Sequence, residues 1–362
     1  MPEPRPVPRV GLSMLTFVPG GMGGSETYAR ELSTRLAHSP RVDAVAIVPE
    51  GATGALGDIV ERPVAGIVPS GTTAGRLGTI ARGTLRASSI RRLMSDRSVI
   101  HYPFTIPVPT APRGVPTVVT LHDVQHLDLP HLFSRAELAF RRRYYEDASR
   151  RADVVVTVSE FARERILHQL PTLRPDRVVV APLGVDTTAY LPHPGERDPF
   201  VLYPARAWPH KNHARLVEAM ALVRRTRPEI RLVLTGGALD TLGALPDWVD
   251  RRGLVSGEEL RELYRHASVV AFPSLYEGFG MPPLEAMASG APVAAARSGS
   301  LPEVVGDAAV LFDPNDVESI AAGIVTALAR GHELYRPGLE RAASFTWDRC
   351  VDVHLAVYER VG

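Results

Sequence analysis

Cysteine occurs once in these 362 residues, at Cys350, and lysine once, at Lys211. A single thiol excludes an intrachain disulfide and any Cys-rich metal site, and it fits a reducing compartment. No Asp-x-Asp occurs anywhere, so a paired-aspartate clamp for a divalent cation is missing. No stretch reaches the length that spans a bilayer: the apolar run from Val10 to Val18 is too short and ends in glycines, not at a small-residue cleavage site. Four prolines between Met1 and Pro8 read as an extended tail and not as a secretory n-region. A cytoplasmic protein is therefore expected. Net charge is also lacking: a formal +1 gives no global field of the kind that marks a nucleic-acid binder.

What is present is a soluble globular composition, 45% apolar and 22% charged, on a chain long enough for two domains. Short β-rich runs alternate with helical patterns. Strands are expected over 9–18, 42–48, 116–121, 154–159, 177–181, 200–205, 230–235 and 268–273. Helices are expected over 26–37, 135–148, 160–169, 212–224, 258–266 and 347–361. Runs such as Val154 to Val158 are apolar on both faces, the mark of a parallel sheet covered by helices. The class is α/β with doubly wound sheets. Between Thr187 and Pro199 the chain holds Pro192, Pro194, Gly195 and Pro199 and little apolar periodicity, a linker. The expected domains are 1–190 together with a terminal amphipathic helix over 345–362, and 191–344.

Four constellations carry chemistry. Gly20 to Glu26, with Gly23 and Gly24, sits between the first strand and the first helix, where glycines let backbone approach a ligand and helix amides favour anions. A tight strand-to-helix turn is the alternative, and the spacing is not a clean G-x-G-x-x-G. Arg206 and Lys211 flank a loop after the first strand of the second half, with Asn212 as N-cap. Two fixed cations there suit a diphosphate, and an ordinary surface loop is the alternative. The block from Pro273 to Gly290 holds Glu277, Gly278, Phe279, Gly280 and Glu285, with Pro282 and Pro283 starting a helix and Gly290 ending it. Carboxylates accept from vicinal hydroxyls; the alternatives are a solvated loop for Glu277 and a helix-start charge for Glu285. His122 and Asp123 end a β run, where a histidine acts as acid, base or donor, or simply lines the rim.

Taken together, these motifs resemble glycosyltransferase family 4. The match runs from Gly23-Gly24-Ser25-Glu26 through His122-Asp123, Val158 to Phe161, Pro182 to Asp186 and Arg206 to Lys211, and ends on the Glu-x7-Glu block of 277 and 285. The resemblance implies the GT-B fold, two Rossmann-like domains facing a cleft, with the final helix crossing back to the N-terminal domain. It implies that Arg206 and Lys211 hold the donor diphosphate and that Glu285 binds the nucleotide ribose. Glu277 with Gly278 to Gly280 would hold the donor sugar, Gly23 and Gly24 would approach phosphate or acceptor, and His122 would contact the transferred sugar. It further implies a retaining hexosyltransferase that needs no metal or other cofactor, with a nucleotide-diphosphate sugar as donor and GDP-mannose as first choice. The acceptor is a hydroxyl compound, lipid-linked if the arginines bear on it.

Those arginines form two groups: Arg135, Arg141, Arg142, Arg143, Arg150 and Arg151, and Arg82, Arg86, Arg91 and Arg92. They read either as solvated helix faces in an arginine-biased chain or as contact with an anionic membrane or a phosphate-bearing acceptor. Competing functional readings are a sugar-nucleotide epimerase or phosphorylase on the same fold, a non-catalytic nucleotide-sugar binder, and a dinucleotide-dependent dehydrogenase. A phosphorylase lacks a second lysine, and a dehydrogenase lacks a clean fingerprint. Residues 51–98 match no motif.

Overall fold

A computed structural model describes residues 6–362; residues 1–5 of the proline tail lie outside the described part. The chain divides into two compact units. The first takes the described residues through Val158, then Ala162–Pro182 and Trp347–Gly362; the second takes Ser159–Phe161 and Leu183–Thr346.

The first unit is built on seven strands: β1 (Arg9–Ser13), β2 (Asp43–Pro49), β3 (Val60–Val64), β4 (Val99–Tyr102), β5 (Thr117–Thr120), β6 (Val154–Thr157) and β7 (Val178–Val180). They pair in parallel in the order β3-β2-β1-β4-β5-β6-β7. The second unit holds β8 (Asp198–Pro204), β9 (Arg231–Thr235), β10 (Val249–Gly253), β11 (Ala267–Phe272), β12 (Val293–Ala296) and β13 (Val310–Phe312), also parallel, in the order β10-β9-β8-β11-β12-β13. In both sheets the central strands are buried on both faces, because helices cover them. Both sheets reverse their strand order once, between β1 and β4 and between β8 and β11. Open α/β sheets bind ligands beyond the carboxyl ends of strands at such a point.

The expected elements shift at their ends. The first strand stops at Ser13, five residues before Val18, and the strand after the linker begins at Asp198. The helix expected over 135–148 runs on as Arg135–Arg141, a π turn Arg142–Glu146, and Asp147–Arg151. Asn212 does stand at the N-cap of the His213–Val223 helix, yet its side chain makes no capping bond. It is left-handed (φ 61°), and its amide donates to the carbonyls of Pro273 (3.0 Å) and Pro314 (2.8 Å). The residue ties three loops together and leaves the helix amides uncapped.

The Trp347–Val361 helix belongs to the first unit. It buries Cys350, Val351, His354, Leu355, Val357 and Tyr358, and its rim is paired through Arg35–Asp348, Arg41–Asp352 and Arg41–Glu359 (each 2.9 Å). Underneath lies a hydrogen-bonded chain. Tyr28 Oη contacts His354 Nε2 and Thr120 Oγ1 at 2.8 Å, and His101 bridges Thr120 Oγ1 and Tyr358 Oη at 2.7 Å. Every member is buried, so this polar network is satisfied from within.

Candidate active site

In the second unit the two motif blocks follow the adjacent strands β8 and β11, on either side of the reversal point. They are joined directly. Lys211 Nζ donates to Glu277 Oε1 at 2.6 Å, with the two side chains only 14% and 12% exposed. Phe272 lies under the ammonium, 5.4 Å from ring centroid to Nζ. The Lys211 carbonyl accepts from Tyr203 Oη (2.7 Å), and the His210 carbonyl accepts from the Leu275 amide (2.7 Å), which fixes one loop to the other. One of the three ammonium protons is thus committed and two remain for a ligand.

Arg206 lies on the same loop, exposed, with its guanidinium 5.4 Å from the Trp208 ring and no ion pair among the described residues. Its backbone is pinned by a residue that the sequence reading missed. Gly236 takes φ 128°, and a Cβ there would stand 2.6 Å from the Ala205 carbonyl and 2.9 Å from Arg206 N, so only glycine fits.

The Glu277 to Gly280 loop is clamped in the same manner. Ser300 Oγ donates to the carbonyls of Glu277 (3.0 Å) and Phe279 (2.7 Å), and its amide donates to Glu277 as well. Gly299, at φ 58°, lies so close that a Cβ would fall 2.7 Å from Glu277 N and O. Gly280 (φ 103°) enters the Met281–Ala288 helix with no side-chain cap, and the prolines occupy its first positions as expected. Ser300 and Gly299 carried no signal in the sequence beyond a short Ser-Gly-Ser turn after β12.

Glu285 has other partners. Its Oε2 accepts from Tyr264 Oη at 2.8 Å, and Tyr190 hydrogen-bonds to it too. Burial raises its carboxyl above the ordinary range, and the two phenols hold that rise down. The structure therefore brings Lys211 and Glu277 together and seats Glu285 in a separate tyrosine cradle.

The first unit holds the remaining expected residues. Gly23 (φ 55°) precedes the Gly24–His38 helix, and a Cβ on it would meet nothing within 4 Å. Glu26 folds back to accept from the Gly20 amide (3.0 Å) and from Arg30, so the motif's acid organises its own glycine turn. His122, half-buried after β5, hydrogen-bonds to the Pro103 backbone and packs edge-on against Tyr28, with ring centroids 5.1 Å apart. Its Nε2 is buried and has no partner among the described residues. Burial pulls its pKa down to about 4, with His354 adding to the effect, so the ring is neutral near pH 7. Asp123 accepts from the Gln125 amide at 3.0 Å.

The two halves of the chain match two family descriptions: residues 22–189 match Glycosyltransferase Family 4, and residues 192–337 match Glycosyl transferases group 1. Among curated relatives, the O-antigen chain mannosyltransferase B of Escherichia coli is 32% identical over 67% of this chain and 70% of its own length. The MMP alpha-(1->4)-mannosyltransferase of Mycolicibacterium hassiacum is 34% identical over 69% and 66%. Among solved structures, sucrose-phosphate synthase from Thermosynechococcus elongatus superposes with TM-score 0.78 at 20% identity over 98% of both chains. Anabaena HepE in complex with UDP-glucose superposes with TM-score 0.72 at 19% identity over 97% and 98%. These two share the GT-B fold, and with the relatives and both family matches they place the chain in glycosyltransferase family 4, as a glycosyltransferase.

Proposed function

We propose that this chain is a retaining hexosyltransferase that needs no metal and moves mannose from GDP-mannose to a hydroxyl of a glycan or lipid-linked acceptor, in peripheral contact with an anionic membrane. The observation that carries it is the Lys211–Glu277 pair at the reversal point of the second sheet. Lys211, with two protons to spare, and the unpaired Arg206 would neutralise the charge that develops on the diphosphate as its bond to the sugar breaks. Without Asp-x-Asp in the sequence, that work falls to the two cations and to the uncapped amides at Gly280. Glu277, released in part from Lys211 as the phosphates arrive, would accept from sugar hydroxyls. Glu285, steadied by Tyr264 and Tyr190, would accept from the ribose. Neutral His122, with Nε2 open, would hydrogen-bond to the sugar and carry no charge of its own.

Mannose as the sugar is supported by the two relatives, both of them mannosyltransferases by name. The glycan acceptor is supported by the O-antigen enzyme. Retention rests on the family resemblance. The test is a panel of nucleotide sugars incubated with purified protein, with and without excess chelator. GDP release from GDP-mannose should exceed UDP release from UDP-glucose, chelator should leave it intact, and the product's anomeric signal should match the donor's. Release from UDP-glucose alone would overturn the donor, abolition by chelator the metal-free chemistry, and an inverted product the retention.

A further inference from the structure

The two arginine groups differ once folded. In the 135–151 group, Arg141 pairs with Glu137, Arg143 and Arg151 with Asp147, and Arg150 with Glu146, so most of its charge is spent along its own helix. The other group lies in a segment of different character. From Arg62 to Ser95 the chain holds six arginines and no aspartate or glutamate. The carboxylates that border it are engaged: Asp96 takes Arg62 in two 2.7 Å bonds and also Arg97, and Glu61 accepts from the Gly54 amide. Arg76, Arg82, Arg86, Arg91 and Arg92 meet no carboxylate among the described residues. Arg86 donates to the Ala65 carbonyl and Arg91 to Thr110, bonds that leave their charge uncompensated.

The same segment is apolar where water should be. The Thr73–Leu85 helix turns Thr79 and Gly83 inward, and a Cβ on Gly83 would strike Val108 at 2.2 Å. Its outer face then carries Ala74, Leu77, Gly78, Ala81, Arg82 and Leu85, with Leu77 44% and Leu85 87% exposed. Val68, 63% exposed, lies just before the helix in sequence. A surface helix of a soluble domain shows its charged side to water. A helix with leucines outward, Arg82 and Arg86 exposed beside them and no acid of its own suits the interface of an anionic bilayer, where apolar side chains enter the acyl boundary and arginines meet phosphate.

We infer that the Thr73–Leu85 helix, with Arg82, Arg86 and Arg92, is a docking surface for an anionic phospholipid bilayer. The inference rests on the membrane contact proposed above and gives it a location. Charge favours lipid over a second copy of this chain, because two such faces would repel.

The test is co-sedimentation of the full chain, with no donor or acceptor, on vesicles of equal phosphatidylglycerol and phosphatidylcholine and on phosphatidylcholine alone. Binding is expected on the mixed vesicles at low salt, with loss at high salt and on neutral vesicles. Replacing Arg82, Arg86 and Arg92 together by Gln should weaken it about a hundredfold, at about 1 kcal/mol per arginine. Leu77→Ser with Leu85→Ser should also release it, and the melting temperatures of both variants report whether they remain folded. The same exchange at Arg143, Arg150 and Arg151 should change binding by less than about threefold. Equal binding to neutral vesicles, no loss in the Arg82 triple variant, or concentration-dependent dimers in place of vesicle binding would overturn the inference. Since no substrate is present, such a failure leaves the transferase reading untouched.

Discussion

The two reversal points share one geometry and solve opposite electrostatic problems. Beyond β8 and β11 the second unit gathers charge: a Lys–Glu pair, a free guanidinium and an uncapped helix start. Beside β1, β4 and β5 the first unit suppresses charge: His101, His122 and His354 all have depressed pKa values, chiefly through burial, within a network of Tyr and Thr hydroxyls. The same strand order thus yields an ionic edge in the second unit and a neutral edge in the first.

The largest test of that contrast is Lys211→Ala. It removes a charged bond and strands Glu277 in a poorly hydrated place, so transfer should fall by about two to three orders of magnitude. Lys211→Arg should recover only part, because a forked guanidinium does not replace a compact ammonium. Turnover within threefold of wild type in the alanine variant would erase the ionic edge.

Acid should break the neutral edge next. His354 has a folded pKa near 4, against about 6.5 for free imidazole. Between those values the unfolded chain binds protons that the fold refuses. Stability is therefore full above about pH 6.5 and falls as pH drops towards 4, by up to about 3 kcal/mol for this group. Denaturant unfolding at pH 7 and pH 4.5 measures the loss, and His354→Gln should shrink its slope by close to one proton. An unchanged slope would mean that the histidine is not neutral in the fold.

Gly299→Ala sharpens the picture at smaller scale. Its Cβ collides with the Glu277 backbone at a positive φ, so it should cost about 1–2 kcal/mol and lower turnover through the displaced loop. Smaller still, Tyr264→Phe removes one phenol from Glu285. Nucleotide affinity measured by calorimetry should change by about 1 kcal/mol or less, with turnover at saturating donor near wild type.

Much of this was legible in the sequence, for definite reasons. The Arg206–Lys211 and Glu277–Glu285 blocks each follow a long apolar strand, so pattern and motif pointed to one edge. Of the five strands that went unread, β3, β4, β10, β12 and β13, three failed the pattern. β3 contains Pro63 and β10 reads Val-Asp-Arg-Arg-Gly, because both are edge strands with little to bury. β12 is Val-Ala-Ala-Ala, a helix former by propensity that tertiary burial overrides. Gly236, Gly299, Ser300, Tyr190 and Tyr264 escaped notice because each acts on a residue distant in sequence. The basic segment was visible as composition, but only the fold shows which arginines have acids beside them.

The Trp347–Val361 helix has a consequence for the order in which the protein can be made. Tyr28 and His354 are 326 residues apart, yet they share one buried bond. While a ribosome is still translating the second unit, Tyr28 and His101 have emerged without the partners that the Trp347–Val361 helix brings. The second unit has no such debt and can close first, although it is synthesised later. Domains generally mature from the N-terminus as they emerge; here the first unit to appear is completed only once the Trp347–Val361 helix has emerged.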